Sequence, residues 1–210
     1  MNRILISDLA TWLNKQPIER QLPNGAKVRQ IVWEGRDAEE VWKVVSHMSI
    51  NAEEVLIDGP APAWLVAVVS HAVHPFPVSL ADPKVEGGKM PIYRPRPLGA
   101  GSGPVSFRVE ERENASIVEF SLAGPVFDPD DLKNVVPPEV RPGKPVIISG
   151  RGPNYLTVSL IESYAHIAPA VAAYQPPSLY TCCVTHSPLY RLGDQIHPAE
   201  KVAGASDLSM

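Results

Sequence analysis

Residues 71–84 read HAVHPFPVSLADPK. His71 and His74 stand three apart, so on a helix they share a face. Asp82 and Lys84 follow beyond a short apolar run. Imidazole with carboxylate suits Mn²⁺ or a similar divalent ion, and a nearby lysine can neutralise charge developing on a phosphate. The same residues suit plainer work. Histidine is favourable near a helix C-terminus, and Asp-Pro is a common turn. A second stretch, SGRGP at 149–153, ends an apolar strand pattern and opens a helical one. Backbone N–H groups at a helix start, with Arg151 beside them, offer an anion site. A short glycine turn is also ordinary connection chemistry between strand and helix.

The other polar residues carry weaker signals. His166, His186 and His197 are scattered, and His186 in THSPLYRLGD reads as exposed loop. RPRP at 94–97 reads as a solvated basic linker, with an electrostatic lip near an anionic ligand as the alternative. Cys182 and Cys183 are adjacent, which suits neither a disulfide framework nor a zinc knuckle. They read as two small buried residues of a strand.

The elements that must hold these residues occur twice. VLIDGPAPAWL at 55–65 lies over VIISGRGPNYL at 146–156, aligning Gly59 with Gly150, Pro62 with Pro153 and Leu65 with Leu156. In the first copy KVRQIVWEG reads as a strand and DAEEVWKVVSHM as an amphipathic helix. EEVLID is a buried strand, PAWLVAVVSHAVH a helix with proline in its first turn, and PVSLAD a strand. KMPIYRP is an edge strand, because Pro91 cannot donate to a central ladder. In the second copy VSFRVEER and ASIVEFSL form a hairpin-like pair, and DPDDLKNV a short helix. KPVIIS is a strand, PNYLTVSLIESYAH a helix, and PAVAAYQ and YTCCVTH closing strands. The fold class is therefore α/β, with two tandem β-β-α-β-α-β-β units packed as a covalent pseudo-dimer. The expected boundaries are 1–93 and 105–197 for the repeats, 94–104 for a Pro/Gly/Ser-rich linker and 198–210 for a tail.

Composition narrows the function classes. Hydrophobic content of 44% and charged content of 20% are globular values. The net charge of −4 argues against coating duplex nucleic acid, and leaves room for a small anionic ligand in a local pocket. No apolar run nears the roughly 18 residues needed to span a bilayer. The first residues, MNRILISDLATWLNKQP, are broken by Asp8 and Asn14 and lack a signal-peptide pattern. The expectation is a cytoplasmic protein with no membrane partner.

The second copy carries a specific resemblance. VIISGRGPNYL, an apolar helix, AVAAYQP and CCVTHSPLYRLGD together resemble the CRISPR-associated Csx-three family, the Crn-three ring nucleases. The likeness covers about residues 105–195, and more weakly about 3–93, where it is strongest in IDGPAPAWLVAVVSHAVHPFPVSLADPK. It implies a compact fold distantly similar to CARF sensor domains. It also implies homo-oligomers, here a dimer of fused chains, that sandwich cyclic tetra-adenylate. The implied activity is a metal-dependent phosphodiesterase that cuts this messenger with Mn²⁺ and silences antiviral signalling.

Residue by residue, the family's catalytic histidine and aspartate fall on His74 and Asp82, both expected as metal ligands. Its arginine position holds Lys84, and the histidine-to-aspartate spacing is one residue shorter. The corresponding residues of the second copy are Ala165 or neighbouring His166, Gln175 and Pro177. Conversely, only the second copy keeps the ligand-binding turn, with Ser149, Gly150, Arg151 and Gly152. The resemblance thus implies a division of labour, in which the C-terminal repeat holds the ring and the N-terminal repeat cuts it. The alternatives are a non-catalytic sensor or sponge for the same messenger and a structural CRISPR subunit.

Overall fold

The structure, a computed structural model, describes residues 2–21, 23–175 and 179–199. The first half runs β1 (Asn2–Leu5), α1 (Ile6–Trp12), β2 (Ile18–Gln21), β3 (Lys27–Gln30) and α2 (Asp37–Ser46). It continues with β4 (Val55–Asp58), α3 (Ala63–Ala72), β5 (Val78–Ala81) and β6 (Lys89–Pro91). The second half runs β7 (Val105–Glu111), β8 (Ser116–Leu122), a 3-10 turn (Pro129–Asn134) and β9 (Val146–Gly150). It ends with α4 (Asn154–Tyr164), β10 (Ala170–Gln175) and β11 (Leu179–Thr185). None of the described helices is long and apolar enough to cross a membrane.

The class is α/β, built on two principal sheets with strand orders β1-β4-β5-β6 and β11-β10-β9-β8-β7. Within the first, β1, β4 and β5 are parallel and β6 returns antiparallel at the edge. Within the second, β8, β9 and β10 are parallel and β11 returns antiparallel, while β7 pairs antiparallel with β8. So β1-β4-β5-β6 and β8-β9-β10-β11 share one pairing scheme. The run of buried residues in Val55-Leu56-Ile57 and Val146-Ile147-Ile148 explains why β4 and β9 lie inside their sheets.

Helices α3 and α4 join the halves. From Trp64 to His71 every residue of α3 is buried, as is every residue of α4 from Tyr155 to Tyr164 except Thr157. A helix apolar nearly all round needs neighbours all round. α3 finds them in α2, α4, β10 and β11, and α4 also packs on β9 and β10. One continuous apolar cluster consequently runs from Ile4 to Val184 through both halves. Asn154 Nδ2 donates to the Ala61 carbonyl at 2.9 Å, beside the helix starts. Near the other ends, His71 of α3 lies 3.5 Å from Glu162 of α4. The two helices therefore run side by side in the same direction.

Some expected elements take other forms. KVRQIVWEG does not enter the main sheet: β3 stops at Gln30 and pairs only with β2 in a separate ribbon. The position beside β4 goes to β1 instead, whose four residues lead straight into α1 and are too short to show a period. The DPDDLKNV helix is a 3-10 turn, with Pro129 at its first position and the Asp128 side chain accepting from Asp130 N at 3.0 Å. The 94–104 segment joins the halves but is pinned. Leu98 N donates to the Pro137 carbonyl at 2.9 Å, and Ser102 bridges to Val136. Pro177, and the tail from residue 200 onward, lie outside the described residues.

Gly150 shows how tightly the β9–α4 turn is built. Its φ is +155°, and a Cβ there would sit 2.5 Å from both the ring and the carbonyl oxygen of Phe120. Backbone strain and the steric conflict act together, so Gly150→Ala is expected to cost about 1–3 kcal/mol. A lowered melting temperature in calorimetry checks this.

Candidate functional site

Two groups of polar residues form on opposite edges of the sheets. The first is a cleft of about 620 Å³ at the carboxyl ends of β5, β8 and β9. Carboxyl ends of parallel strands are where open α/β sheets bind ligands. Asp82, Lys84 and Val85 come from the turn after β5, and Val126 and Phe127 from the loop after β8. Arg151, Gly152, Asn154 and Tyr155 come from the turn into α4. The cleft thus unites Asp82 and Lys84 of the first half with Arg151 and Gly152 of the second. Ser149 and Gly150 lie just upstream in β9, half-buried, and hold the turn rather than line the cleft.

The cleft's chemistry is anionic-ligand chemistry. α4 begins at Pro153 with no side-chain cap, so its first N–H groups remain available beside exposed Arg151. Lys84 is exposed on the facing wall. Asp82 Oδ1 accepts from Lys84 N at 2.9 Å, the turn role that Asp-Pro suggests. Tyr155 is buried and packs against Phe127, with ring centroids 6.3 Å apart and planes tilted by 46°. Burial raises the Tyr155 phenol above its ordinary value, and the Asp82 and Asp128 carboxylates add to that. In the first half, the matching turn starts at Asp58, whose carboxylate is taken by Arg3 from β1.

His74 does not join this cleft. It precedes β5 and Asp82 follows it, and four extended residues span roughly 13 Å. The expected pair of metal ligands therefore cannot share one ion within a single chain. Contiguity in sequence suggested convergence, but an extended strand is the geometry that keeps its two ends apart.

His74 belongs to the second group, at the C-terminal ends of α3 and α4. His71 and His74 come from α3 and the turn after it, His166 from the turn after α4, and His186 from the end of β11. His71 Nε2 and His186 Nε2 are 3.2 Å apart. Ring centroids are 5.4 Å apart for His71–His166, 5.2 Å for His74–His166 and 5.2 Å for His166–His186. His71 is buried, while His74, His166 and His186 form an exposed rim. Scattered positions gave no sign that His166 and His186 meet the HAVH stretch. The usable signal was the alignment of the copies, which sets His166 beside the position of His74.

Behind His71 lies a buried charge. Arg94 Nε donates to Glu162 Oε2 at 3.1 Å, and His71 Nδ1 sits 3.5 Å from the same oxygen. Burial alone would raise the Glu162 carboxyl, but His71 and the Arg94 guanidinium outweigh it and hold the group below its ordinary value. The RPRP stretch thus contributes a structural arginine rather than a solvated one.

Two of the rings, His74 and His186, are pushed toward the neutral form. Desolvation, then the Arg94, His166 and His71 charges, push His74 down, with Glu162 opposing. Desolvation, then His71 and His166, push His186 down. In the unfolded chain these histidines titrate near 6.5. Groups with a depressed folded value leave stability intact above the unfolded value and remove it as pH falls toward the folded one. In chelator-treated protein the melting temperature should hold at neutral pH and decline below about pH 6.5. His186→Gln should flatten that decline, as read by circular dichroism.

A protein-family model described as CRISPR-associated protein (Cas_csx3) matches residues 120–197. The match takes in the Arg151 turn, α4, His166 and His186, and it stops short of His74, Asp82 and Lys84. Through that segment the chain is similar to the Csx-three family of CRISPR-associated proteins.

Proposed function

We propose that the chain is a ring nuclease of a type III CRISPR system, inside the cell, that binds cyclic tetra-adenylate and cuts it. The observation that carries this reading is the cleft. It sets an arginine and an uncapped helix start from one half against a carboxylate and a lysine from the other. Phosphodiester anions are held by such N–H groups and guanidinium forks. We further propose that the halves are tandem Csx-three-like, distantly CARF-like repeats, supported by their shared strand pairing and aligned turns.

A cleft of about 620 Å³ receives part of a four-nucleotide ring rather than enclosing it. A second copy stacked over the open face would cover the remainder, so the working form would be a homo-oligomer of the fused chain. Its far edge could bring His74 to the facing cleft, which one chain alone cannot do. The ribose 2′-hydroxyl can serve as the nucleophile, once aligned with the scissile phosphorus. Arg151 and the α4 N–H groups would fix the phosphate, Lys84 would stabilise charge on its oxygens, and Asp82 would receive the hydroxyl proton. Attack by the 2′-oxygen expels the 5′-oxygen of the next nucleotide and leaves a 2′,3′-cyclic phosphate end. Asp82 and His74 of one chain do not fit a shared Mn²⁺ ion, so no step is routed through it.

A second reading rests on the Asp82–Lys84 turn bond and the distance to His74: a sensor or sponge that binds without cutting. Labelled cyclic tetra-adenylate, incubated with the full chain with and without Mn²⁺, separates the readings. Under the nuclease reading, Asp82→Ala abolishes product while binding stays within a few-fold. Arg151→Ala, losing charge-assisted hydrogen bonds of about 1.5–3 kcal/mol, weakens binding by about tenfold or more. Binding with no product under either condition supports the sponge, and no binding at all removes both.

A further inference from the structure

Four of the chain's six histidines converge at one place, and neither the cleft nor the ring chemistry employs them as a set. We infer that His71, His74, His166 and His186 bind a divalent cation of the zinc class. The ion would clasp the C-terminal ends of α3 and α4 and so lock the two halves together. The inference does not depend on the ring-nuclease reading.

The distances favour a metal. A tetrahedral zinc with nitrogen ligands at about 2.0–2.1 Å places neighbouring nitrogens about 3.3 Å apart. The His71 and His186 Nε2 atoms already stand 3.2 Å apart. An N–H···N bond between these two rings would also account for that distance. It leaves His74 and His166, 5.2 Å apart and each beside His71, without a role. Among the described residues no three such groups are yet set around one point. The rings of His74 and His166 are exposed and turn about a soft terminal torsion, the motion that closing the set calls on.

The surroundings fit as well. Glu162 behind His71 is the carboxylate that commonly orients a ligating imidazole. Its Oε1 has no hydrogen-bond partner among the described residues, so it is available to take a firmer bond from His71 Nδ1. The exposed rim opens the cluster to solvent. An all-imidazole set selects Zn²⁺, Ni²⁺, Co²⁺ or Cu²⁺ over Mn²⁺, Mg²⁺ and Ca²⁺, which prefer oxygen.

The test uses the full chain, stripped with chelator and desalted. Added Zn²⁺ should raise the melting temperature by several degrees, whereas Mg²⁺ should not. Co²⁺ should give the visible absorption of a tetrahedral nitrogen site. His166→Ala and His186→Ala should lose both signals, and His47→Ala, outside the cluster, should keep them. Glu162→Gln should weaken zinc binding by about 10–100-fold. Two results would overturn the inference: no Zn²⁺ shift and no Co²⁺ absorption in the unaltered chain, or equal signals after His166→Ala and His186→Ala. Since Co²⁺ absorption is read on folded protein below its melting point, lowered stability in a variant does not mask the outcome.

Discussion

The parallel packing of α3 against α4 governs the rest of the structure. Each helix is buried on nearly all sides, so neither half can shed its partner without exposing a core element to water. Because both helices run the same way, their starts share one edge of the molecule and their ends share the other. The starts bring the two β–α turns together and build the cleft. The ends bring the histidines together. A single packing choice therefore separates the edge that carries the Arg151 cleft from an imidazole edge.

The same packing shows how the halves differ. His71 is the ninth residue of α3 and Glu162 the ninth of α4, and they meet across the helix pair. Two identical chains would bring like residues to that meeting point. One chain can place an imidazole against a carboxylate there and supply Arg94 to complete the charge. Burying a carboxylate costs several kcal/mol unless it is paired, and here two cationic or donor groups face it. The turns diverge in the same way: Asp58 is consumed by Arg3, while the Arg151 turn stays open. Each half carries a group that the other lacks.

Local signals in the sequence carried far. Continuous apolar runs marked β4 and β9, proline and glycine punctuated the turns into α3 and α4, and Pro91 marked β6 as an edge. The pairing of Arg151 with Asp82 in one cleft was foreshadowed by the alignment of the copies, which assigned them to different halves. Three features were not legible. β1 is too short to show a period, so no strand was read at its position beside β4. That His74 turns to the histidine edge depends on packing between the halves; reading PVSLAD as a strand set only its distance from Asp82. The histidine cluster and the buried Glu162 arise from contacts between distant segments, and no local pattern encodes those.

The central claim is that one anionic ligand touches both halves at the cleft beside the start of α4. A structure of the full chain with 2′-O-methylated cyclic tetra-adenylate tests it most directly, since that ring lacks the nucleophilic hydroxyl. The account predicts a phosphate against Arg151 and the first turn of α4, with Asp82 and Lys84 facing the same nucleotide. A ring bound elsewhere, with Arg151 and Lys84 both free of it, would contradict the account.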